Sequence, residues 1–515
     1  MTTNARSKPL PPQTDPWTRG PFGLAAFLTL LLLILAFKIY KSHHTGIIYD
    51  EAFTAQRFAR DLHQALTDFS SPNNHFLNSV FVCGARSLFA SYEHYPRLPS
   101  LLAGLLFTLA SAWLLLRTLH SWLLRIPGLA LLNLVPYVFD YSYLARGYAF
   151  ALAAVLLQLA LLAHWLHRPL PFRRAWRPIL LLALLNFLAL GAMMTSVLVL
   201  AAFNLLLVLA FSTALYRDAP RPLKVILLHA LALLIATALP TWLLYRRVLK
   251  SIPAEIAQEC GPAGRQFLPY LRDLFLRIPF PYHDRLGALI LAALVVLLLL
   301  AVALTARPAW RQCFPAPARR FALPRSPRAF LLLFVASTLL VLFVYSVLLR
   351  RPLGFPRSQV CLIPPFLLAL LILLDALIAA VPAPLPRRLA ELAVALALAA
   401  AVLHDLPDPH VAIGGQSISG QLVRRLRTLD PARTWVLAFS PAAVNFQMPI
   451  QYYQAFGYKI APAQSAACDL YLCTFDQRPD RGVFLDYHFC RRFGCAVVFN
   501  GAPPLDRLVL EAVLK

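Results

Sequence analysis

The chain has 515 residues, 59% of them hydrophobic and 14% charged, with a net charge of +25. So few polar side chains cannot clothe a chain of this length in water, which excludes an ordinary soluble globule. The positive charge lies in short clusters between apolar runs, with no basic domain interleaved with aromatics, which excludes a nucleic-acid partner and leaves membrane topology as its explanation.

Taken in order, residues 1–21 are Pro-rich and polar, carry Arg6, Lys8 and Arg19, and read as a cytoplasmic tail. The run from Phe22 to Tyr40 is long enough to span a bilayer. A cleaved signal peptide would need a shorter apolar region and a small-residue cleavage site, whereas KSHHTGIIYDEAF follows here. Further apolar runs centre on 101–116, 127–145, 148–165, 179–194, 196–215, 225–244, 286–305, 329–349, 360–380 and 389–404. With the first run they predict an α-helical polytopic membrane protein of about 11 transmembrane helices over residues 22–404.

The loops assigned to the cytoplasm contain Arg117 and Arg125, then Arg168, Arg173, Arg174 and Arg177, then Arg217, Arg221 and Lys224, then a cluster from Arg307 to Arg328, and lastly Arg387 and Arg388. Against these stand only Asp15 and Asp218, the asymmetry of the positive-inside rule. Residues 41–100, 245–285 and 350–359 then fall on the outer face, and so does everything after His404.

The first outer loop, residues 41–100, carries two further helical patterns. In DEAFTAQRFARDLHQAL the residues Ala55, Phe58, Ala59, Leu62 and Leu66 recur at helical spacing, which predicts an interfacial amphipathic helix. SPNN breaks it, and HFLNSVFVCGARSLFA predicts a second piece too short and too polar to span. Residues 405–515 alternate strand-like runs (TWVLAF, DLYLCTF, CAVVFN) with helix-like stretches such as GQLVRRLRTL, and predict a small outer α/β domain. Four of the eight cysteines, Cys468, Cys473, Cys490 and Cys495, lie in it, where an oxidising compartment permits disulfides in any of three pairings.

Candidate chemistry concentrates on the outer side. Asp50 and Glu51 follow the first span directly; about 100° apart on a helix, they face different partners, and acidic residues there also complement a helix dipole. Tyr49, Asn73, Asn74, Glu93 and His283 are candidate site-lining residues, and His75 follows a turn that aims it at the interface. Arg97 reads either as an anchor at the start of the second span or as a site cation. Arg146 lies between two spans at their outer ends, and Arg350, Arg351 and Arg357 form a dense basic patch against the topological trend, which points to an anionic ligand such as a phosphate. Asp375, near the inner end of its span, is placed to reach a neighbour or the interface. Asp50, Glu51, Glu93, His75 and His283 leave a divalent metal open, though no HExxH, DxD or Cys/His array supports one, and no cofactor is assigned.

YDEAF after the first span, SPNNHFLNS, YPRLPSLLAGL, YLARGYAF and PRSQVCLIPPFLLAL occur in this order. Together they resemble the bacterial protein O-mannosyltransferase-like glycosyltransferases, the GT-C superfamily group that includes the lipid A aminoarabinose transferases. The resemblance spans residues 48 to 370. It implies a multi-pass enzyme of the bacterial inner membrane that transfers a sugar, with inversion, from a polyprenyl-phosphate carrier to a hydroxyl of a lipid, glycan or protein acceptor. It implies Asp50 and Glu51 as the catalytic acidic motif, with Asp50 the base. It also implies His75, Arg146 and Arg357 as donor-phosphate ligands, and the positions of Arg97, Arg350 and Arg351 assign them to the same phosphate. Phe76 and Leu77 stand where relatives have two prolines, Leu144 where they have an acidic residue, and Gly147 where they have a proline.

The chemistry of the residues agrees with this. A lipid-phosphate leaving group needs cations, not a proton, while the attacking hydroxyl needs one carboxylate. A transporter or flippase of lipid-linked sugars is the competing expectation, and it would place broken helices and charges at the midplane in repeated halves.

Overall fold

The computed structural model describes residues 21–68, 75–167, 176–193, 196–206, 267–272, 327–348, 360–381, 384–405, 435–439, 447–462, 470–474, 483–484 and 495–499, with isolated positions between these stretches. The first helix, α1 (Pro21–His44), is apolar on nearly all sides. The segment that follows carries α2 (Tyr49–Phe53), a π turn (Thr54–Phe58), α3 (Leu62–Thr67) and α4 (Phe76–Phe89). Next come α5 (Leu98–Thr118), α6 (Trp122–Leu134), α7 (Pro136–Tyr141), α8 (Tyr148–His167) and α9 (Trp176–Ala192). Then follow α10 (Val197–Leu206), α11 (Phe267–Arg272), α12 (Pro327–Phe343), α13 (Ile363–Ala379) and α14 (Pro384–Asp405).

Among the described residues, four helices are long and apolar enough to cross a membrane: Pro21–His44, Tyr95–Thr118, Phe330–Leu348 and Val360–Ala379. Shorter apolar helices, among them Tyr148–His164 and Ile179–Ala192, accompany them. The chain is thus a mainly helical membrane protein. The runs 225–244 and 286–305 lie mostly or wholly outside the described residues.

α5 packs on α8, α8 on α9, and α1 on both α5 and α6. Their shared core holds Phe27 and Ile34, Phe107 and Leu115, Leu124 and Leu129, and Leu368 and Leu371. Because lipid gives apolar side chains no reason to prefer protein over bilayer, interhelical hydrogen bonds help fix which helices meet. Lys38 Nζ donates to Thr108 Oγ1 at 2.8 Å and to Asn133 Oδ1 at 3.1 Å, tying α1 to α5 and α6. Gln158, Asn186 and Asn204 form a second ladder across α8, α9 and α10, with links of 2.7 and 2.9 Å. At the opposite end of the bundle from Asp50, Asp375 accepts from Arg328 at 2.7 Å and from the His120 backbone, so it does reach neighbours.

Two predicted helices are broken. The run 127–145 is not continuous, because Pro136 holds Val135 extended (φ −54°, ψ 125°) and α6 ends there. The interfacial helix expected through residue 66 leaves the helical path at Ala59 (φ −100°, ψ 22°). It restarts where Asp61, itself extended, caps α3 by accepting from the Gln64 N–H at 2.8 Å. The restart turns the apolar face: Ala55, Phe58 and Ala59 are buried, but Leu62 and Leu66 are 53% and 43% exposed.

The C-terminal residues carry a five-stranded mixed sheet in the order β2-β1-β3-β5-β4, with strands β1 (Trp435–Phe439), β2 (Ile460–Pro462), β3 (Leu470–Thr474), β4 (Val483–Phe484) and β5 (Cys495–Phe499). β1 runs parallel to β2 and β3, and β5 antiparallel to β3 and β4. The helix α15 (Gln447–Ala455) joins β1 to β2. Ile450, Tyr452 and Tyr453 of α15, with Trp435 and Ile460, share one apolar core with Ile47, Ala52, Ala59, Val82 and Tyr95, which lie between α1 and α5. The side chains of Cys468, Cys473, Cys490 and Cys495, and hence their pairing, lie outside the described residues.

Candidate active site

Asp50 and Glu51 open α2 and diverge to different arginines. Ile48 is extended (φ −89°, ψ 166°), and Glu51 reaches back so that its Oε2 accepts from the Ile48 N–H at 3.0 Å, satisfying a donor at the helix start. Oε2 also accepts from Arg97 Nη2 at 2.5 Å, and Oε1 accepts from Arg97 Nε at 2.8 Å and from the Ala145 N–H at 2.7 Å. All four lone-pair positions of this fully buried carboxylate are therefore filled.

Arg97 is equally committed. Besides Glu51 it donates to the carbonyls of Ser42, Thr45 and Gly46 at 3.0, 2.7 and 2.7 Å, so each of its five N–H groups has a partner. It neither snorkels to the surface nor offers a donor to a phosphate. Glu51, expected with Asp50 in catalysis, and Arg97, expected at the donor phosphate, bind each other and the turn between α1 and α2.

Asp50 remains partly accessible and forms an ion pair with Arg146 Nη1. Arg146 is buried; burial lowers its pKa, but the Asp50 carboxylate together with Tyr148 and Tyr141 more than reverses this and raises it, so the guanidinium stays charged. Its planar group also lies over the Tyr148 ring, 5.6 Å from the centroid.

The turn presenting Arg146 is built by other loop residues. Asn78 Nδ2 on α4 donates to the Ala145 carbonyl at 3.1 Å, and Ser100 Oγ on α5 lies 3.2 Å from the Arg146 carbonyl and 3.1 Å from Asn78 Oδ1. Glu51 holds the Ala145 N–H from the opposite side. The sequence motifs contained Asn78 and Ser100, but no role was assigned to them. Their signal was a fully buried polar residue on an otherwise apolar helix face. Gly147 follows because a Cβ there would strike the Ala192 carbonyl and lie 3.1 Å from His75 Cβ.

His75 sits at the N-cap of α4, its ring 5.3 Å from that of Tyr148. Its Nδ1 is 3.0 Å from the Ala192 carbonyl, which only accepts, so Nδ1 carries the proton. Burial and the neighbouring Arg146 charge hold its pKa down at about 3, so the ring is neutral and Nε2 is an acceptor.

Glu93 is not brought to this cluster. It accepts from Arg424 Nη2 at 2.8 Å and from the Tyr458 hydroxyl at 2.9 Å, so it docks the C-terminal residues onto the loop. Tyr49 is half-buried and its ring stacks on Phe53 at 5.8 Å. Asn73, Asn74, His283, Arg350, Arg351 and Arg357 lie outside the described residues. Among the described residues no three His, Cys, Asp or Glu side chains come together to hold a metal ion.

No protein-family model matches the chain, and no curated protein matches it. Solved structures do. The chain is similar to ArnT from Cupriavidus metallidurans bound to undecaprenyl phosphate, with 14% identity over 94% of this chain and 99% of that one, at a TM-score of 0.48. It is also similar to the oligosaccharyltransferase AglB from Archaeoglobus fulgidus in complex with an inhibitory peptide and a dolichol-phosphate, with 12% identity over 89% and 70% of the two chains and a TM-score of 0.42.

Proposed function

We propose that the chain is a GT-C glycosyltransferase that moves a sugar from a polyprenyl-phosphate carrier to an acceptor hydroxyl at the outer membrane face. The observation that carries this is the pairing of Asp50 with Arg146 beside a Glu51 whose lone pairs are all filled. It leaves one accessible carboxylate next to one buried cation.

In the proposed reaction the acceptor oxygen attacks the anomeric carbon and gives its proton to Asp50. The bond from that carbon to the phosphate oxygen breaks, and its electron pair leaves with the polyprenyl phosphate. The displacement inverts the anomeric centre. The departing anion needs positive charge rather than a proton, and Arg146, with Arg350, Arg351 and Arg357, would supply it. Glu51 and Arg97 position the motif without touching substrate. The remaining topology belongs to the same proposal: about 11 spans, a cytoplasmic N-terminus, and an outer α/β domain over residues 405–515 in a bacterial inner membrane.

Asp50→Asn, assayed in proteoliposomes with radiolabelled polyprenyl-phosphate sugars, tests the reading. Loss of transfer by about 10²-fold or more is expected, and undiminished transfer refutes the base assignment. Movement of labelled lipid between leaflets with no acceptor present would identify a flippase instead.

A further inference from the structure

We infer that His75 is a hydroxyl-recognising residue of the transferase site, with Nε2 accepting a hydrogen bond from a sugar or acceptor hydroxyl rather than binding the lipid phosphate. The inference rests on the transferase reading and refines one residue of it.

The geometry is that of a ring locked in one tautomer. The Ala192 carbonyl accepts a hydrogen bond from the protonated Nδ1, and Ala192 is itself held against Gly147, where no Cβ fits. That leaves Nε2, shielded from solvent and without a hydrogen-bond partner among the described residues. An unpaired buried acceptor is costly, so such an atom marks a place where a ligand donor completes the structure. What could complete it is decided by what surrounds it. Arg146 is one cation already beside the ring, and a second proton on His75 would face it. A phosphate oxygen offers no proton to a bare ring nitrogen, whereas a hydroxyl does. His75 also lies in the wall that holds Arg146: its ring packs on Tyr148, over which the Arg146 guanidinium lies. A substrate whose phosphate reaches Arg146 therefore brings its hydroxyls to this wall.

The test compares three substitutions in the full chain reconstituted in liposomes. His75→Gln keeps an acceptor at similar reach without a charge, His75→Leu removes it, and His75→Lys substitutes a cation. Binding of undecaprenyl phosphate, which has no sugar, reports the phosphate site and also whether each variant is folded. Transfer from radiolabelled undecaprenyl-phosphate hexoses and pentoses reports the hydroxyl. The expected result is unchanged undecaprenyl phosphate affinity in His75→Gln and His75→Leu, and transfer lowered about tenfold in His75→Leu but largely kept in His75→Gln. A rise in the donor KM assigns the contact to the carrier's sugar, and a rise in the acceptor KM assigns it to the attacking substrate. Undecaprenyl phosphate affinity falling about tenfold in His75→Leu and retained in His75→Lys would overturn the inference while leaving the transferase reading intact. A wild-type protein that neither binds undecaprenyl phosphate nor transfers any of these sugars would overturn both.

Discussion

Glu51 and Arg97 close on each other through two hydrogen bonds, of 2.8 and 2.5 Å, with both side chains buried. Between them they also tie down Ile48, Ala145 and the carbonyls of residues 42, 45 and 46. One member of the YDEAF motif is thus a strut, and its neighbour Asp50 is left to face the site.

Removing either strut leaves a buried charge unpaired. Arg97→Met or Glu51→Gln is expected to destabilise the protein by about 3–5 kcal/mol. Thermal unfolding in detergent should show a lowered midpoint for both, with a smaller loss for the double substitution than for the sum. A full-strength Glu51→Gln protein that has lost only activity would show that Glu51 takes part in the chemistry.

Arg146→Lys keeps the charge but loses the planar fork that can pair with Asp50 and a phosphate at once. Transfer should fall by about 10²-fold, with the unfolding midpoint within a few degrees of wild type. Radiolabelled transfer and calorimetry on the same preparation separate the two.

Asn78→Ala and Ser100→Ala each free one side of the Arg146 turn. Each is expected to cost about 1–3 kcal/mol and to reduce transfer. The two should be coupled, because Ser100 Oγ also meets Asn78 Oδ1. A double-mutant cycle with strictly additive losses would show that they act independently.

The docking of the C-terminal residues should weaken in acid. Burial raises the Glu93 pKa, but its hydrogen bond with His94 and the Arg424 charge more than reverse this, leaving it at about 2. Burial lowers that of His94 to about 4. Both groups bind protons less readily when docked than when free, so the stability they contribute is complete above the free His value of about 6.5 and is lost as pH falls toward 4 and below. Hydrogen exchange at residues 447–462 should therefore speed up between pH 6.5 and 4 relative to the helical bundle, after correction for intrinsic rates.

Truncation after residue 404 is expected to uncover part of the segment that carries Asp50 and Glu51. Ile47 donates to the Tyr453 hydroxyl at 2.9 Å, and the apolar side chains of residues 47–59 share their core with α15. Loss of that cover should lower both activity and thermal stability. A truncated protein with wild-type turnover would refute it.

Composition and spacing alone determined that the chain is a helical membrane protein, because an apolar run long enough to cross a bilayer is a local property that needs no partner to be recognised. Residues 76–89 formed the expected second loop helix, and β1, β3 and β5 fall on the runs that alternate like strands. The distribution of basic residues likewise predicted one face for Asp50, His75 and Arg146, and these three do lie close together.

Roles were another matter. Which carboxylate is filled and which stays partly accessible, and which arginine is saturated, depends on donors and acceptors brought from residues 42–48, 97 and 145, far apart in the chain. Helical spacing could give Asp50 and Glu51 different directions but not name what lay along them. The tautomer of His75 depends on a carbonyl 117 residues away. The sequence counts hydrogen-bonding groups, and only the tertiary structure decides which of them are already satisfied.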